Sequence, residues 1–300
     1  MYNIGIIGGG TAGLTAAIYG QRAGKQTVVF EGANYGGQIV FSPNVENYPG
    51  IASISGAQYS MNLVEQATNL GAETKREQVK KVKKVEDGYS VVTEEGEYLC
   101  QALVLATGVT HRHLGLENEE KLTGAGVSYC ATCDGMFFRG KNVAVIGGGN
   151  TALQDAEFLS NYCSKVYLVH RREEFRGDAK NVSSLREKEN VEFVLNALPE
   201  EILGEQMVQG LVVTDKISGA KKTLDVDGIF VAIGHLPKNE IFAELVDLDA
   251  GGFIKAGENC ETSRDGIFAA GDCRTKEVRQ LTTAAADGAV AALAAVKYIK

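Results

Sequence analysis

The order of apolar and polar positions along the chain is repeated. Residues 3 to 32 and residues 142 to 171 each begin with a short β-branched apolar run, turn through glycines and continue in an alanine-rich helical pattern. Each segment then ends in a second apolar run. The pattern therefore predicts a βαβ unit that occurs twice.

Further elements are predicted around these two units. Residues 51 to 70 and residues 283 to 297 are predicted helices, and residues 78 to 105 alternate in the way that short strands do. The same alternation recurs at 210 to 234, so we expect a β-meander after each βαβ unit. A third strand and turn are predicted at 265 to 274.

The last of these segments belongs with the first copy, so the second copy is predicted to be an insertion. We expect an α/β fold with two Rossmann-like dinucleotide-binding domains of three-layer type. Residues 1 to 112 and 243 to 300 would form a discontinuous outer domain, and residues 113 to 242 an inserted domain. A length of 300 residues suits two domains.

Each βαβ unit carries a glycine pattern between its first strand and its helix. The pattern is G-x-G-x-x-G in the first copy and G-x-G-x-x-A in the second: Gly8, Gly10 and Gly13, then Gly147, Gly149 and Ala152. The first glycine allows a tight turn, the second lets a pyrophosphate approach the backbone, and the third small residue lets helix and strand pack closely. Two dinucleotide sites are predicted, the alternative being turns used only for packing.

The two copies differ at the end of the second strand. Glu31 stands there in the first copy, where an acid can accept hydrogen bonds from ribose hydroxyls. Basic residues stand there in the second copy: His170, Arg171, Arg172 and Arg176. Guanidinium groups bind a 2′-phosphate by charge-assisted hydrogen bonds, so the first copy suits FAD or NAD and the second suits NADPH. The alternative is a solvated helix start in which neighbouring glutamates pair with the arginines.

Composition and charge narrow the class of protein. The chain is 44% apolar and 23% charged, as soluble globular proteins are, and its net charge of -8 argues against nucleic acid or an anionic membrane as a partner. It has no apolar run of about 18 residues, and it enters a strand at once without a signal sequence. We therefore expect a cytoplasmic protein without a disulfide framework.

Two cysteines, Cys130 and Cys133, lie three residues apart with Asp134 directly behind them. Zinc needs four ligands, and the sequence has no second cysteine or histidine pair with suitable spacing, so no metal is predicted. C-x-x-C spacing favours thiol-disulfide exchange, but by itself it does not separate a redox switch from a crosslink. Asp134 would pass a proton to or from a thiolate, or would form an Asp-Gly turn.

Over its whole length the chain resembles the low-molecular-weight, NADPH-dependent thioredoxin reductases. The resemblance is carried by stretches in a fixed order: GGGTAG, GGQI, VENYPG, LVLATG, CATCDG, VIGGGNTA, HRREEFR, FVAIGHLP and FAAGDCR followed by RQLTTAAADG. It implies FAD in the outer domain and NADPH in the inserted domain, which carries the cysteine pair. It also implies thioredoxin or a thioredoxin-like protein as the partner, and a homodimer.

The resemblance assigns residues to each ligand. FAD would be held at Gly8, Gly10, Thr11, Ala12, Gly13, Glu31, Gly36, Gly37, Gln38, Asn47, Thr107, Gly271, Asp272, Gln280 and Leu281. NADPH would be held at Gly147, Gly149, Asn150, Thr151, Ala152, His170, Arg171, Arg172 and Arg176. Cys133 would face the flavin, Cys130 would attack the protein substrate, and Asp134 would act as the acid.

Two other functions compete with this one. The flavoprotein of an alkyl hydroperoxide reductase system serves a peroxiredoxin or another small disulfide protein, but it normally has an additional thioredoxin-like region at its N-terminus, and this chain starts at the first βαβ unit. A redox sensor without catalysis would need the nucleotides only to hold a conformation. The intact cysteine pair followed by Asp134 argues against a sensor.

Overall fold

A computed structural model describes residues 1 to 42 and 44 to 299, which leaves Pro43 and Lys300 outside the described residues. The strands are β1 (Tyr2–Ile7), β2 (Thr27–Phe30), β3 (Glu73–Lys75), β4 (Lys81–Val85), β5 (Gly88–Val92), β6 (Glu97–Leu105), β7 (Thr110–His111), β8 (Val127–Ser128), β9 (Asn142–Ile146), β10 (Lys165–Val169), β11 (Val191–Val194), β12 (Ala197–Leu203), β13 (Gly210–Asp215), β14 (Lys221–Leu224), β15 (Gly228–Val231), β16 (His235–Leu236) and β17 (Ile267–Ala269). The α-helices are α1 (Thr11–Arg22), α2 (Gly56–Asn69), α3 (Ala131–Asp134), α4 (Asn150–Ser160), α5 (Ala179–Arg186) and α6 (Leu281–Tyr298). Within the described ranges, no helix is long and apolar enough to cross a membrane.

The chain divides into two compact units. The first comprises Met1–Thr110 and Leu236–Lys300, and the second comprises His111–His235. The sequence analysis placed the boundaries after residues 112 and 242, whereas the two units divide after Thr110 and after His235.

Residues 236 to 242 join the first unit, where two of their side chains, Asn239 and Phe242, are buried. Asn239 is fully buried, and its Nδ2 donates to the carbonyl oxygens of Gly252 and Cys273, both at 2.9 Å. Phe242 is also fully buried and packs in the same core as Val28 and Ile254. These contacts join residues far apart in sequence, so no local pattern reveals them.

The first unit is built on a seven-stranded sheet in the order β3-β2-β1-β6-β5-β4, with β17 also paired to β6. Strands β1, β2, β3, β6 and β17 are parallel, whereas β4 and β5 continue the sheet from β6 in antiparallel fashion. Helices α1 and α6 pack on one face, where Ile4, Leu14 and Ala291 share a core. On the other face, Tyr89 and Val91 of β5 share a second core with Phe242 and its neighbours.

The second unit has a five-stranded parallel sheet in the order β11-β10-β9-β15-β8. Side chains of α4 and α5, such as Leu153, Leu159 and Leu185, pack on one face. The predicted meander divides here: β13 and β14 pair with β12 in a separate antiparallel sheet that covers the other face, whereas β15 enters the parallel sheet. Both units thus have helices, a parallel sheet and antiparallel strands, which confirms the predicted α/β fold with two Rossmann-like units, the second inserted in the first.

Candidate active site

The glycine loop of the first unit allows very close approaches between backbone segments. A Cβ on Gly8, whose φ is +110°, would lie 2.2 Å from the Ala106 carbonyl oxygen at the end of β6. A Cβ on Gly13 would lie 1.9 Å from the Gly8 carbonyl oxygen. Gly10 is different, since the nearest atom to its Cβ position, the Gly36 carbonyl oxygen, is 3.8 Å away. The loop is therefore tight where strand and helix pack and open where a phosphate would approach.

The acid at the end of β2 lies beside this loop. Glu31 accepts a hydrogen bond from the Gly9 N–H through Oε2 and one from the Ala33 N–H through Oε1, both at 2.8 Å. The Gly36 N–H in turn donates to the Gly9 carbonyl oxygen at 2.8 Å. Gln38 lies in the 3₁₀ turn Gly37–Phe41 that follows. Residues 31 to 38 are thereby fixed next to the first glycine loop.

Distant segments complete the same site. A Cβ on Gly271 would lie 2.9 Å from the Cβ of Ala12, so the turn that carries Asp272 lies at the start of α1. Asn47 Nδ2 donates to Gln280 Oε1 at 3.2 Å, and Leu281 is the first residue of α6. Thr107 directly follows β6, and its hydroxyl donates to Asn239 Oδ1 at 2.8 Å. The predicted FAD residues of the first unit are therefore brought together from several separate segments.

Three polar atoms of this unit are buried and have no hydrogen-bond partner among the described residues: Thr11 Oγ1, Tyr59 OH and Asp272 Oδ1. A buried polar group without a partner costs about 1–3 kcal/mol, so a bound polar molecule would account for them. Burial also raises the pKa of the Asp272 carboxyl above its ordinary value, although Lys276 and Arg279 act in the opposite direction. Sequence reasoning missed Tyr59, because no motif includes it.

Asp287 of α6 holds the turn that contains Asp272. It accepts hydrogen bonds from the Gly271 N–H at 2.9 Å, from Arg274 Nη2 at 2.8 Å and from Lys276 Nζ at 2.8 Å. Burial acts to raise the pKa of Asp287, but the two cations outweigh it and hold that pKa below its ordinary value. The sequence analysis assigned Asp287 no role, since its partners are identified only by the fold.

The glycine loop of the second unit repeats the arrangement. A Cβ on Gly147 would lie 2.4 Å from the Ala232 carbonyl oxygen and 2.7 Å from the Cβ of Ala152, whereas the Cβ position of Gly149 has no atom within 4 Å among the described residues. The side-chain oxygen of Asn150 accepts from the Asp178 N–H at 2.7 Å. The loop is thus open at the same glycine as in the first unit.

The basic segment lies against this loop. The Arg176 N–H donates to the Gly148 carbonyl oxygen at 2.8 Å. His170 is only 6% exposed. A Cβ on Gly148 would lie 2.1–2.5 Å from its ring atoms, so the ring packs directly against the loop. Arg171, Arg172 and Arg176 are exposed, as is Thr151 in the first turn of α4. Among the described residues, no ion pair joins these arginines to Glu173 or Glu174, so the solvated-pair alternative loses its support.

Lys216 is a further cation that sequence reasoning missed. Its Nζ donates to the Arg171 carbonyl oxygen at 3.4 Å, and its N–H donates to the Asn196 carbonyl oxygen at 2.7 Å. Asn196 has a left-handed φ of +52° and its N–H is 3.5 Å from the Arg172 carbonyl oxygen. Lys216 follows β13 and is distant in sequence from the arginines, which explains why spacing did not reveal it.

Cys130 and Cys133 form a disulfide, with Cα atoms 5.3 Å apart. Cys130 precedes α3, and Gly135 behind that helix packs against Phe158 and Leu159 of α4. Asp134 accepts a hydrogen bond from Ser128 Oγ at 2.6 Å. Burial raises the pKa of the Asp134 carboxyl, and the hydrogen bond from Ser128 offsets part of that rise. A disulfide and a carboxyl whose pKa is raised by burial therefore lie within one short segment.

The chain belongs to the pyridine nucleotide-disulphide oxidoreductase family, whose model matches residues 2–288. It is 40% identical to the thioredoxin reductase of Mycolicibacterium smegmatis over 301 residues, covering 100% of this chain and 97% of that protein. It is 41% identical over 302 residues to a bifunctional thioredoxin reductase/thioredoxin of Mycobacterium leprae, where it spans all of this chain but only 66% of the relative. The crystal structure of thioredoxin reductase from Streptococcus pyogenes MGAS5005 superimposes with a TM-score of 0.94 at 35% identity, covering 99% of this chain and 98% of that one.

We expect Gly149→Ala to weaken binding of a pyridine nucleotide without unfolding the protein. The added methyl meets no protein atom within 4 Å, but it occupies the space through which a phosphate approaches the backbone. Titration calorimetry should show a Kd at least about tenfold higher, equivalent to about 1.4 kcal/mol. Gly96→Ala is the matched control, because its Cβ makes only ordinary contacts, the nearest at 3.7 Å. Equal affinities for both variants would contradict the assignment of this loop.

Proposed function

We propose that the chain is a thioredoxin-disulfide reductase that uses NADPH and carries FAD. The observation that carries this proposal is the Cys130–Cys133 disulfide beside the half-buried carboxyl of Asp134, in the same unit as an arginine-flanked dinucleotide loop. The relatives named thioredoxin reductase align with this chain from end to end, which supports the same reaction here. Those names do not favour the alternative of a reductase for a peroxiredoxin system.

The residues of the first unit fit FAD. The open glycine loop at Gly10 suits a pyrophosphate, and Glu31 beside it would accept hydrogen bonds from the ribose hydroxyls of an adenosine without a 2′-phosphate. The unpartnered atoms of Thr11, Tyr59 and Asp272 would find polar partners in such a ligand. Bound FAD supplies a two-electron carrier between a nicotinamide and a disulfide.

The residues of the second unit fit NADPH. Arg171, Arg172 and Arg176 are exposed cations that can bind the 2′-phosphate through charge-assisted hydrogen bonds, and Lys216 adds a further charge. Asn150 and Thr151 at the start of α4 would hold the pyrophosphate, because the first N–H groups of a helix have no partner within it. His170 would stabilise the loop by packing against Gly148 rather than contact the 2′-phosphate.

The cysteine pair would carry out the exchange itself. Reduction breaks the bond between Cys130 and Cys133, and Asp134 can then donate its proton to one of the thiolates. The reduced pair would attack the disulfide of thioredoxin through a mixed disulfide. As the family resemblance implies, Cys130 would make this attack and Cys133 would face the flavin.

The test is NADPH oxidation by the FAD-loaded protein with thioredoxin as the electron acceptor. We expect turnover by the wild type and loss of turnover to background in Cys130→Ser and in Cys133→Ser, because neither variant can re-form the disulfide. Cys163→Ala is the matched control, since Cys163 is a buried, free cysteine of the same unit. Wild-type protein that oxidises NADPH with a peroxiredoxin-linked acceptor but not with thioredoxin would contradict the proposal.

Replacing Arg171 and Arg172 together by alanine should raise the KM for NADPH and leave the KM for NADH nearly unchanged. Hydrogen bonds to a charged group are worth about 1.5–3 kcal/mol each, so the KM for NADPH should rise at least about tenfold. The double variant Lys221→Ala/Lys222→Ala also removes two positive charges from the unit, but these lysines pair with Glu200 and Glu192. Equal changes for NADPH and NADH, or equal effects of both double variants, would refute a 2′-phosphate site.

We also propose that two copies of the chain associate and that it works in the cytoplasm. The first unit exposes apolar side chains available for a contact between copies, such as Phe41, Met61 and Leu293. The four cysteines outside the disulfide are free and buried, which suits a reducing compartment: Cys100, Cys163, Cys260 and Cys273. Sedimentation equilibrium should give twice the chain mass of 32.0 kDa, and a monomer at micromolar concentration would contradict the dimer.

A further inference from the structure

Ser128 is fixed in position before the cysteine pair begins. It ends β8, which runs parallel to β15 with Ser128 opposite Phe230. Val127 packs into the core on the side of Leu211, and successive side chains of a strand point to opposite faces, so Ser128 points to the face on which α3 lies. The side chain is only 5% exposed. A short hydroxyl on a sheet strand has little freedom to move away from its partners.

The hydroxyl of Ser128 joins the catalytic acid to the backbone of the cysteine pair. Its Oγ lies 2.6 Å from Asp134 Oδ2 and 3.4 Å from the Cys130 carbonyl oxygen, and a single proton serves the closer acceptor. The same oxygen accepts the Cys130 N–H at 3.1 Å. Two hydrogen bonds therefore connect the Cys130 N–H, through the Ser128 hydroxyl, to the Asp134 carboxyl.

We propose that Ser128 is a positioning residue: its hydroxyl fixes the orientation of the Asp134 carboxyl against Cys130 and stabilises its carboxylate form. The inference deepens the proposed function, on which it rests for the role of Asp134 as proton donor. Sequence analysis included Ser128 in no motif with a role, because only the fold shows that it bonds to Asp134.

The hydrogen bond from Ser128 to Asp134 affects the step in which Asp134 donates its proton to a thiolate. Reduction of the Cys130–Cys133 bond takes up the two electrons of the hydride that NADPH gives up, the proton of that hydride passes to solvent, and two thiolates remain. Asp134 gives its proton to one of them, so that one thiol, one thiolate and one carboxylate remain. The hydrogen bond from Ser128 is then charge-assisted and stronger than it was to the neutral acid. Ser128 thus favours release of the proton and opposes the effect of burial, which raises the pKa of Asp134.

Few ionisable groups lie near enough to Asp134 to shift its pKa. The elements that pack against α3 are α4, which carries Asp155 and Glu157, and the 3₁₀ turn Gly135–Phe138, which Arg139 follows. The cysteine pair itself provides two thiols when reduced. Apart from burial, Ser128 is the influence that shifts the pKa of Asp134. Asp155 needs a control of its own, because burial raises its pKa to about 7.

The experiment is an infrared titration of the oxidised holoenzyme with carbon-13 in the aspartate carboxyls. The Asp134 band is identified by its absence in Asp134→Asn, and Asp155→Asn removes the neighbouring carboxyl. We expect Ser128→Ala to raise the pKa of Asp134 by about one to two units, and Ser128→Thr, which keeps a hydroxyl, to leave it within about 0.3 unit. Ser160→Ala is the matched control, since this buried hydroxyl of the same unit bonds only to the Glu157 carbonyl oxygen, at 2.6 Å.

Turnover with thioredoxin gives a second, independent result. Because Asp134 acts in its protonated form, the alkaline limb of kcat/KM should move to higher pH in Ser128→Ala by the same one to two units, roughly. Thermal unfolding of each variant checks that the fold is kept. A pKa of Asp134 that Ser128→Ala leaves unchanged, or that Ser160→Ala raises equally, overturns the role of Ser128. A wild-type enzyme that fails to reduce thioredoxin refutes the proposed function instead, while the infrared titration still decides about Ser128.

Discussion

The structure depends on a repeated close approach of backbone to backbone at the carboxyl end of a parallel sheet. In the first unit Gly8 lies on the Ala106 carbonyl, and in the second Gly147 lies on that of Ala232, at distances that exclude any side chain. This contact turns each first strand sharply into its helix, whose first N–H groups have no partner within the helix. The glycine two positions later is open in both units, and the proposed nucleotide binding uses that opening.

The two units share this loop geometry but differ in the charge of the residues beside the loop. Glu31 has its carboxylate oxygens bonded to backbone N–H groups beside the first loop, whereas the second loop is flanked by exposed arginines. An acid repels a 2′-phosphate and guanidinium groups attract it, so our proposal assigns the two loops to different nucleotides. The disulfide is carried by the second unit, in a helix that packs against the helix of the arginine-flanked loop.

The sequence analysis predicted those features whose signal is local. The glycine spacings, the acid and the arginines lie within single βαβ units, and the C-x-x-C spacing lies within four residues, so each could be recognised without a fold. Asn239 and Asp287 could not, because what they do depends on Thr107 and Gly271, which only the folded chain brings near. The hydroxyl of Tyr59 is recognised only because the fold buries it without a partner. The predicted domain boundary after residue 242 differs from the division after His235 for the same reason. Ser128 lies close to Asp134 in sequence, but its hydrogen bond to that carboxyl depends on its position in β8, which the sequence analysis did not predict.

The central claim is that electrons from NADPH reach the Cys130–Cys133 bond. Anaerobic addition of NADPH to the FAD-loaded protein, followed by alkylation and peptide mass spectrometry, tests it directly without a protein substrate. The account predicts that alkylation appears at Cys130 and Cys133 only after NADPH is added, while the buried thiols at Cys100, Cys163, Cys260 and Cys273 stay unlabelled in the native protein. A pair that remains disulfide-bonded with excess NADPH, while chemical reductants open it, would contradict the account.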